Sequence, residues 1–253
     1  MVRRVAIPTQ LLKQASNIET ETMTKIVILT GAGISAESGL GTFRDENGLW
    51  AQHRIEDVAT PEGFARDPAL VHAFYNARRV QAAAAHPNAA HIALARLQAE
   101  HTGEVVIVTQ NVDGLHEKGG ASSVMHMHGI LDGALCAACD HRWPAPTEMQ
   151  VGEKCPACHA PTARPDIVWF GEMPYDMDQI YSHLSQADLF VAIGTSAQVY
   201  PAAAFVHEAL AAGAHTIELN LEPSALASDF AETRFGQASH LVPAWVEELL
   251  TTA

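Results

Sequence analysis

KIVILTGAGISAESG, at residues 25–39, contains the main indication of the fold. Its β-branched run at 25–30 predicts a buried strand, and the glycines after it predict a tight turn that leads into a helix. Gly31 and Gly33 would let the backbone approach a pyrophosphate, and the helix would offer unpaired N–H groups. Ala36 stands where the dinucleotide-binding pattern G-x-G-x-x-G has its third glycine, so a plain tight turn is the alternative.

Continuous apolar runs recur along the chain, and each predicts a strand that is covered on both faces. They are EVVIVT (104–109), DIVWF (166–170), LFVAIGT (189–195) and HTIELN (215–220). Helical patterns lie at 88–100, 177–187, 202–213 and near 243–250. Strands that alternate with helices predict an α/β fold, a doubly wound, Rossmann-like parallel sheet whose ligand site lies at the carboxyl ends of the strands.

Two segments interrupt this alternation, and we predict that they form a smaller inserted domain, made of a helical module at 45–88 and a zinc module at 130–164. The second segment contains the four cysteines of the chain, Cys136, Cys139, Cys155 and Cys158. Their spacing, C-x2-C, fifteen residues and C-x2-C, predicts a structural zinc ion with a closed tetrahedral sphere. Chemistry would then lie elsewhere in the fold. A pair of disulfides is the alternative.

The overall composition limits the classes of partner. The 253 residues carry a formal net charge of −14, which argues against a broad grip on nucleic acid or anionic membranes. We find no apolar run long enough to span a bilayer, and no signal peptide at the N-terminus. We therefore expect a cytoplasmic protein with reduced thiols. Separately, we expect the protein to be a monomer. Residues 1–24 would form a polar tail and residues 25–253 the folded domain.

Polar side chains follow the predicted strand at 104–109. Gln110, Asn111 and Asp113 would project from its carboxyl end toward the same crevice as the glycine turn. The segment VMHMHG (124–129) adds His126 and His128, which would point to opposite sides of an extended backbone. In isolation, either one is more often a satisfied structural histidine than a base.

Together these motifs resemble one known family. GAGISAESG, Phe43-Arg44, TQNVDGLH, HMHG, CAAC, CPAC, WFGEMP, GTS and NLEP stand in this order from about residue 25 onward, and the set resembles the sirtuins, the NAD-dependent protein lysine deacylases. The resemblance implies that NAD is the co-substrate and that acylated-lysine proteins are the partners. Products would be nicotinamide, 2′-O-acyl-ADP-ribose and free lysine. His128 would be the catalytic base, with Asn111 and Asp113 beside it, and His126 would not.

The same resemblance implies a set of binding residues. The NAD site would comprise Gly31, Ala32, Gly33, Ser35, Glu37, Thr42, Phe43, Arg44, Trp50, Gln110, Asn111, Val112, Asp113, Gly194, Thr195, Ser196, Asn220, Leu221, Glu222 and Ala238. The substrate peptide would lie as a strand between the two domains, along Val168, Trp169, Phe170 and Gly171.

Residues 59–78 indicate which acyl group is removed. Tyr75 and Arg78 are three residues apart, so a helix would present a hydroxyl and a guanidinium to the same small anion. An arbitrary pair of this kind more often lies on a solvated face. Here it resembles the Tyr-x-x-Arg signature of the class III sirtuins, which remove acidic acyl groups such as succinyl and malonyl. Ala59 falls where that class keeps a small residue, and we expect activity on acetyl-lysine as well.

Three other functions stay open at this point. The NAD site could serve mono-ADP-ribosyl transfer to a protein, although that reaction needs neither His128 nor an acyl-reading pair. The chain could be a non-catalytic NAD sensor or a zinc-ribbon interaction module, although Asn111, Asp113 and His128 are all present. Finally, Tyr75 and Arg78 could be structural, which would leave a plain deacetylase.

Overall fold

The computed structural model describes residues 25–41 and 53–252. The predicted tail at 1–24 and the predicted NAD contacts Thr42, Phe43, Arg44 and Trp50 lie outside the described residues. The strands of the described part are β1 (Lys25–Thr30), β2 (Glu104–Thr109), β3 (Val124–His126), β4 (Gly129–Cys136), β5 (Arg142–Pro144), β6 (Ala163–Ile167), β7 (Leu189–Ile193), β8 (His215–Asn220) and β9 (Glu232–Phe235). The α-helices are α1 (Ala32–Ala36), α2 (Ile55–Val58), α3 (Pro61–Arg66), α4 (Pro68–Ala84), α5 (Ala89–Glu100), α6 (Leu115–Lys118), α7 (Met177–Leu184), α8 (Phe205–Ala211) and α9 (Ala238–Thr252).

Six of these strands form one parallel sheet, in the order β3-β2-β1-β7-β8-β9. The chain first runs outward from β1 through β2 to β3, and it then continues on the other side of β1 through β7, β8 and β9. The direction changes between β1 and β7, which is where the ligand crevice opens in doubly wound sheets. The predicted fold class is confirmed, and four of the five predicted strands lie in this sheet.

Helices cover both faces of the sheet, which explains why its strands are continuously apolar. Ile28 of β1 packs on one face in the same cluster as Trp245 of α9. Leu29, the next residue, points to the other face and packs in the same cluster as Phe205 of α8. Neighbouring residues of a strand point to opposite faces, so every position is apolar when both faces are covered.

The predicted strand at 166–170 differs from the structure. β6 ends at Ile167, and it belongs to a second, antiparallel sheet with the order β5-β4-β6. Beyond β6 the N–H of Val168 donates to the carbonyl of His128 at 3.0 Å, and the N–H of Phe170 donates to the carbonyl of Ala59 at 2.9 Å. The apolar run correctly indicated the burial of Ile167 and Trp169, although Phe170 is exposed, but burial does not tell which sheet a strand joins.

The edge strands β3 and β9 are not foreseen by the sequence patterns. β3 has three residues, all of them half-buried, and β9 alternates between half-buried and exposed positions. Each pairs with only one neighbour at an edge of the sheet. Short, half-exposed segments of this kind lack the continuous apolar run that marks the inner strands.

Local capping fixes the helices of the inserted segment. The Thr60 side chain accepts a hydrogen bond from the N–H of Gly63 before α3, and the Asp67 side chain accepts one from the N–H of Leu70 before α4. In each case a proline occupies the first helical position, where its missing N–H costs nothing. α4 then packs against β4 and β6 of the second sheet. Within residues 25–41 and 53–252, the helices are too short or too polar to cross a membrane.

Candidate active site

The glycine turn after β1 lies directly against the turn after β7. The N–H of Gly31 donates to the carbonyl of Ile193 at 3.0 Å, and the N–H of Gly33 donates to the carbonyl of Gly194 at 2.9 Å. A Cβ atom added at Gly33 would lie 2.7 Å from the Cα of Gly194. This close backbone contact requires glycine, which is a reason that the sequence pattern did not supply. The helix that follows, α1, has only five residues.

Asn111 and Asp113 follow β2 and reach across to the glycine turn. The Asn111 side-chain amide donates to the carbonyl of Gly31 and to the Ser35 hydroxyl, both at 3.1 Å. The Ser35 hydroxyl in turn donates to Asp113 Oδ2 at 3.2 Å, while Asp113 Oδ1 accepts from the N–H of Leu115 at 3.1 Å. Burial raises the pKa of Asp113, and these two hydrogen bonds oppose the shift. The structure thus brings together four of the predicted site residues, Gly31, Ser35, Asn111 and Asp113.

A buried polar network that the sequence analysis missed lies beside this cluster. His116 Nε2 lies 2.9 Å from the Thr30 hydroxyl, which donates to the Thr109 hydroxyl at 2.8 Å. His91 Nε2 lies 3.4 Å from the Ser35 hydroxyl. Burial lowers the pKa of His116 to about 3 and that of His91 to about 4, so both rings are neutral in the folded protein.

The sequence contains only weak signals for these two histidines. His116 is the last residue of TQNVDGLH, and His91 follows the helix-capping residue Asn88, whose N–H contacts His91 Nδ1 at 3.3 Å. The chain has fourteen histidines, and composition does not tell which of them are buried. Burial of this pair depends on helices α5 and α6 meeting beside the sheet, which is a tertiary property.

The ring nitrogens of His126 and His128 are used differently. His126 Nδ1 lies 3.2 Å from the carbonyl of Asn111, and its Nε2 lies 2.8 Å from the Glu117 carboxylate. Both partners accept hydrogen bonds, so the ring of His126 satisfies them both only when its two nitrogens are protonated. Burial alone would lower the pKa of His126, but the hydrogen bond and charge of Glu117 raise it.

His128 is held as a neutral ring. Its Nδ1 lies 3.1 Å from the carbonyl of Gln110, and because a carbonyl only accepts, the proton sits on Nδ1. Nε2 then carries the lone pair, and within the described residues no hydrogen-bond partner contacts it. Burial lowers the pKa of His128, against the effect of this hydrogen bond. The geometry therefore gives His128, and not His126, an unprotonated nitrogen near neutral pH.

Most of the residues predicted to contact the acyl group lie within one apolar cluster or next to it. Ala59, Tyr75 and Trp169 are buried in it together, and the indole N–H of Trp169 donates to the Tyr75 hydroxyl at 3.0 Å. Burial raises the pKa of Tyr75 to about 12. Arg78 lies one helical turn further along α4 and is partly exposed. Burial lowers its pKa, whereas the interactions with Tyr75 and Asp113 raise it.

The predicted peptide-binding segment, residues 168–171, connects the predicted base to the acyl cluster. Its first residue is bonded to His128 and its third to Ala59, through the two backbone hydrogen bonds described above. Phe170 and Gly171 are exposed, and Gly171 has a left-handed φ of +92°. The segment therefore presents an exposed edge beside both groups.

Six of the predicted NAD contacts, Gly194, Thr195, Ser196, Asn220, Leu221 and Glu222, lie on the turns after β7 and β8. The Asn220 side-chain amide donates to the carbonyl of Thr195 at 2.7 Å, and this bond joins the two turns. Leu221 and Glu222 are exposed beside them. Glu37, another predicted NAD contact, accepts hydrogen bonds from Ser239, one from its N–H at 3.0 Å and one from its hydroxyl. Its carboxylate thus anchors the start of α9, next to Ala238.

The four cysteines converge at the end of β4. All four sulfurs lie within 4.8 Å of one another, and none forms a disulfide. In each C-x2-C turn the first sulfur accepts a hydrogen bond from the N–H two residues later, at 3.4 Å for Cys136 and 3.3 Å for Cys155. Thiolates at this spacing fit a tetrahedral zinc ion with a closed coordination sphere, and these cysteines would hold it.

Comparisons with known proteins agree with this geometry. A family model described as the Sir2 family matches residues 31–201. The NAD-dependent protein deacylase of Vibrio vulnificus (strain YJ016) is 59% identical over 228 residues, which cover 89% of this chain and 93% of that protein. The chain belongs to the Sir2 family. The NAD-dependent protein deacylase of Escherichia coli (strain K12) is 56% identical over 229 residues, covering 89% of this chain and 82% of that protein.

Solved Sir2 structures have the same fold. A complex of a Sir2 homologue with NAD has a TM-score of 0.84 and 34% identity, and covers 98% of this chain and 95% of that chain. A mutant Sir2 homologue in complex with 2′-O-acetyl-ADP-ribose has a TM-score of 0.83 at the same identity, covering 97% of this chain and 98% of that chain. In this Sir2 chain Asn111 bonds to the glycine turn at the carboxyl ends of β1 and β2, and His128 is hydrogen-bonded to Gln110, which directly follows β2.

Proposed function

We propose that this sirtuin removes acyl groups from protein lysines in an NAD-dependent reaction, and that it accepts acidic acyl groups such as succinyl and malonyl as well as acetyl. The observation that carries the proposal is His128, with Nδ1 bonded to a carbonyl and Nε2 available, beside an exposed peptide-binding edge at 168–171. Products would be free lysine, nicotinamide and 2′-O-acyl-ADP-ribose. The curated relatives are named NAD-dependent protein deacylases, which supports the reaction class.

NAD would supply a glycosidic bond to an already cationic leaving group, so that cleavage needs no protonation of nicotinamide. The chain supplies position and proton transfer. The glycine turn and the carboxyl ends of β1, β2, β7 and β8 would bind the co-substrate, and the Asn111–Ser35–Asp113 cluster would orient the ribose and nicotinamide. A mainly buried cluster also excludes water from the reacting groups.

His128 would act as the general base. Nicotinamide would leave as the acyl oxygen of the substrate lysine bonds to the C1′ carbon of the ribose. His128 Nε2 would then take a proton from the ribose hydroxyls, so that the 2′ oxygen can attack the acyl carbon, and addition of water would release the free lysine. A base must be unprotonated to do this, and burial already lowers the pKa of His128. The hydrogen bond to Gln110 fixes the tautomer, so this proton transfer needs no rearrangement of the ring.

Tyr75 and Arg78 would recognise the carboxylate of an acidic acyl group. The Tyr75 hydroxyl remains protonated at any ordinary assay pH because its pKa is raised to about 12, and Arg78 provides a cation one turn away. A carboxylate that bonds to both would gain about 1.5–3 kcal/mol from charge-assisted hydrogen bonds. Ala59, a small residue in the same apolar cluster as Tyr75, would leave room for these groups, and a pocket of that size would also accept acetyl.

We also propose the wider organisation that the sequence predicted. Residues 25–253 would form the catalytic domain with its inserted helical and zinc modules, and the protein would act as a cytoplasmic monomer on acylated proteins. Its charge of −14 supports a substrate that is not nucleic acid.

Matched peptides test the acyl preference. The kcat/KM for NAD-dependent release of lysine from succinyl-lysine and acetyl-lysine versions of one peptide is compared between the native chain and Arg78→Met. We expect a selective loss of succinyl activity, by about tenfold to a hundredfold. The exposed Arg66, which pairs with Asp57 on the same inserted segment, supplies the control Arg66→Met, with an unchanged ratio.

Each other outcome favours a different function. Equal losses on both peptides in Arg78→Met would make Arg78 a structural residue and the protein a plain deacetylase. No turnover of either peptide by the native chain, with NAD bound, would favour an NAD sensor. Transfer of labelled ADP-ribose to protein without lysine release would favour the transferase.

A further inference from the structure

A series of buried contacts connects β6 to Tyr75, which is predicted to bind the acyl group. Its last link is the hydrogen bond from the indole N–H of Trp169 to the Tyr75 hydroxyl, 3.0 Å long, between side chains that are only 2% and 1% exposed. Indole nitrogen only donates, so the Tyr75 oxygen accepts. The hydroxyl proton of Tyr75 is therefore available for another acceptor, and within the described residues it makes no second hydrogen bond.

Arg164 fixes the indole from which this bond is donated. Its guanidinium carbon lies 3.5 Å from the centroid of the Trp169 ring, a close cation–π contact for an arginine that is only 7% exposed. The Glu172 carboxylate accepts hydrogen bonds from both terminal nitrogens of Arg164, at 2.6 and 2.8 Å. One oxygen of Glu172 also accepts the backbone N–H of Trp169 at 2.8 Å, so the ring and its backbone are held by the same pair.

The position of Arg164 is itself fixed by the second sheet. Arg164 pairs with Leu135 across β4 and β6, and it donates to the carbonyl of Ile167 at 2.7 Å. A planar guanidinium that makes two parallel bonds and stacks on a ring defines the orientation of that ring, whereas a single ammonium cannot. Arg164 therefore acts on the indole plane as well as on local charge.

We propose that Arg164 is a positioning residue for acyl selection: by fixing the Trp169 indole, it makes the Tyr75 hydroxyl an acceptor toward Trp169 and leaves its proton to donate to an acidic acyl group. This inference rests on the proposed acidic-acyl function. Arg164 would touch no substrate. Its effect would pass through Trp169 and Tyr75, and so would act on the discrimination between acyl groups and not on the base.

The test is the ratio of kcat/KM for succinyl-lysine and acetyl-lysine peptides in Arg164→Lys, which keeps the charge but loses the two parallel bonds and the stacking. We expect this ratio to fall about threefold to tenfold, mainly through KM for the succinyl peptide, because one oriented neutral hydrogen bond is weakened. Trp169→Phe is the second variant. It keeps an aromatic ring for Arg164 but removes the indole donor, and the same fall is expected.

A double-mutant cycle separates positioning from a merely structural role. In a Tyr75→Phe background there is no hydroxyl to orient, so Arg164→Lys is expected to leave the succinyl-to-acetyl ratio where Tyr75→Phe has put it. An additional fall in that background would overturn the proposal. So would an unchanged ratio in both single variants, or losses that are equal on both peptides.

Failure of the proposed function gives a different result. If Arg78→Met does not alter the ratio, the protein does not read acidic acyl groups and both proposals fall. If Arg78→Met lowers the ratio but Arg164→Lys and Trp169→Phe do not, only the positioning role of Arg164 is refuted.

Discussion

The N–H of Val168 donates a hydrogen bond of 3.0 Å to the carbonyl oxygen of His128. This bond joins the segment at 168–171 to the residue whose ring we propose as the base. Two residues later, Phe170 makes the corresponding bond to Ala59 at 2.9 Å. The proposed peptide edge, base and acyl pocket are thus parts of one hydrogen-bonded unit, so a shift of the segment would move the acyl-lysine relative to the base.

The first prediction concerns the pH dependence of the base. His128 must be unprotonated to work, and burial lowers its pKa below the ordinary value of 6.5. Activity is therefore expected to be constant through neutral pH and to fall only on the acid side, with a midpoint below 6.5 in the profile of kcat/KM. His128→Tyr is expected to abolish turnover while calorimetry still detects NAD binding.

His126→Asn provides the comparison for this prediction. The pKa of His126 is raised by Glu117, so an acid limb governed by His126 would have its midpoint above 6.5. We expect His126→Asn to retain the same acid limb as the native chain. Loss of that limb in His126→Asn, or turnover by His128→Tyr, would show that the base is assigned to the wrong residue.

Local patterns in the sequence predicted most of the fold, and the physical reason is clear at particular residues. Both faces of β1 are buried, so Ile28 and Leu29 had to be apolar and the strand was visible in the sequence. The two cysteines of each C-x2-C turn are only three residues apart, so each half of the predicted zinc site was also visible in the local sequence. The segment DIVWF is apolar for another reason: β6 ends at Ile167, and Ile167 and Trp169 pack in the same apolar cluster as Tyr75 of α4.

Features that depend on distant contacts were not predictable in the same way. Neither His116 nor His91 belongs to an apolar pattern, and their burial follows from the packing of α6 and α5. The anchoring of Glu37 on Ser239 joins residues that are 202 positions apart. Likewise, the motif containing Trp169 does not reveal that its indole reaches Tyr75 on α4. Such contacts appear only when the helices are placed on the sheets.

The backbone contact between two glycines leads to the next prediction. A Cβ at position 33 would lie 2.7 Å from the Cα of Gly194 and 2.8 Å from its carbonyl oxygen, and backbone cannot move aside as a side chain can. We expect Gly33→Ala to lower the free energy of unfolding by about 3 kcal/mol and to weaken NAD binding. Denaturant unfolding and calorimetry measure the two effects.

A matched control exists in the same site. A Cβ at Gly114 would meet only the Glu117 side chain, at an ordinary 3.8 Å. Gly114→Ala should therefore change the free energy of unfolding by less than about 1 kcal/mol. Similar stabilities for the two alanine variants would mean that the turns after β1 and β7 are not in close contact.

The cysteine cluster predicts a stabilising metal. The zinc ion would hold β4 to the 155–162 segment, where the structure offers few apolar contacts. We expect the purified protein to contain about one zinc ion per chain, and Cys155→Ala to lose it and lower Tm by about 10 °C or more. Metal analysis and thermal unfolding check both points. His141→Ala, beside the cluster, should keep the zinc, and an unchanged Tm in Cys155→Ala would contradict a structural role.

The buried histidines predict that the protein loses stability in acid. In the unfolded chain a histidine titrates near 6.5, whereas in the fold the pKa is about 3 for His116 and about 4 for His91. At a pH between the folded and the unfolded pKa of a ring, that ring is protonated in the unfolded chain and neutral in the folded protein. The free energy of unfolding should therefore fall as the pH drops below about 6.5, by about 1.4 kcal/mol per pH unit for each ring, and above 6.5 the rings contribute no slope.

His116→Asn isolates this contribution. The variant keeps an amide beside Thr30 but has no titrating ring, so its stability should fall less steeply than that of the native chain between about pH 6 and about pH 4.5, by about 1.4 kcal/mol per unit. The difference between the two proteins cancels the acid sensitivity of the zinc thiolates, which both contain. Thr30→Val removes the partner of the ring and not the ring itself, so it should be less stable at every pH but retain the native slope. A native slope in His116→Asn would mean that the ring is already protonated in the folded state or is not buried there.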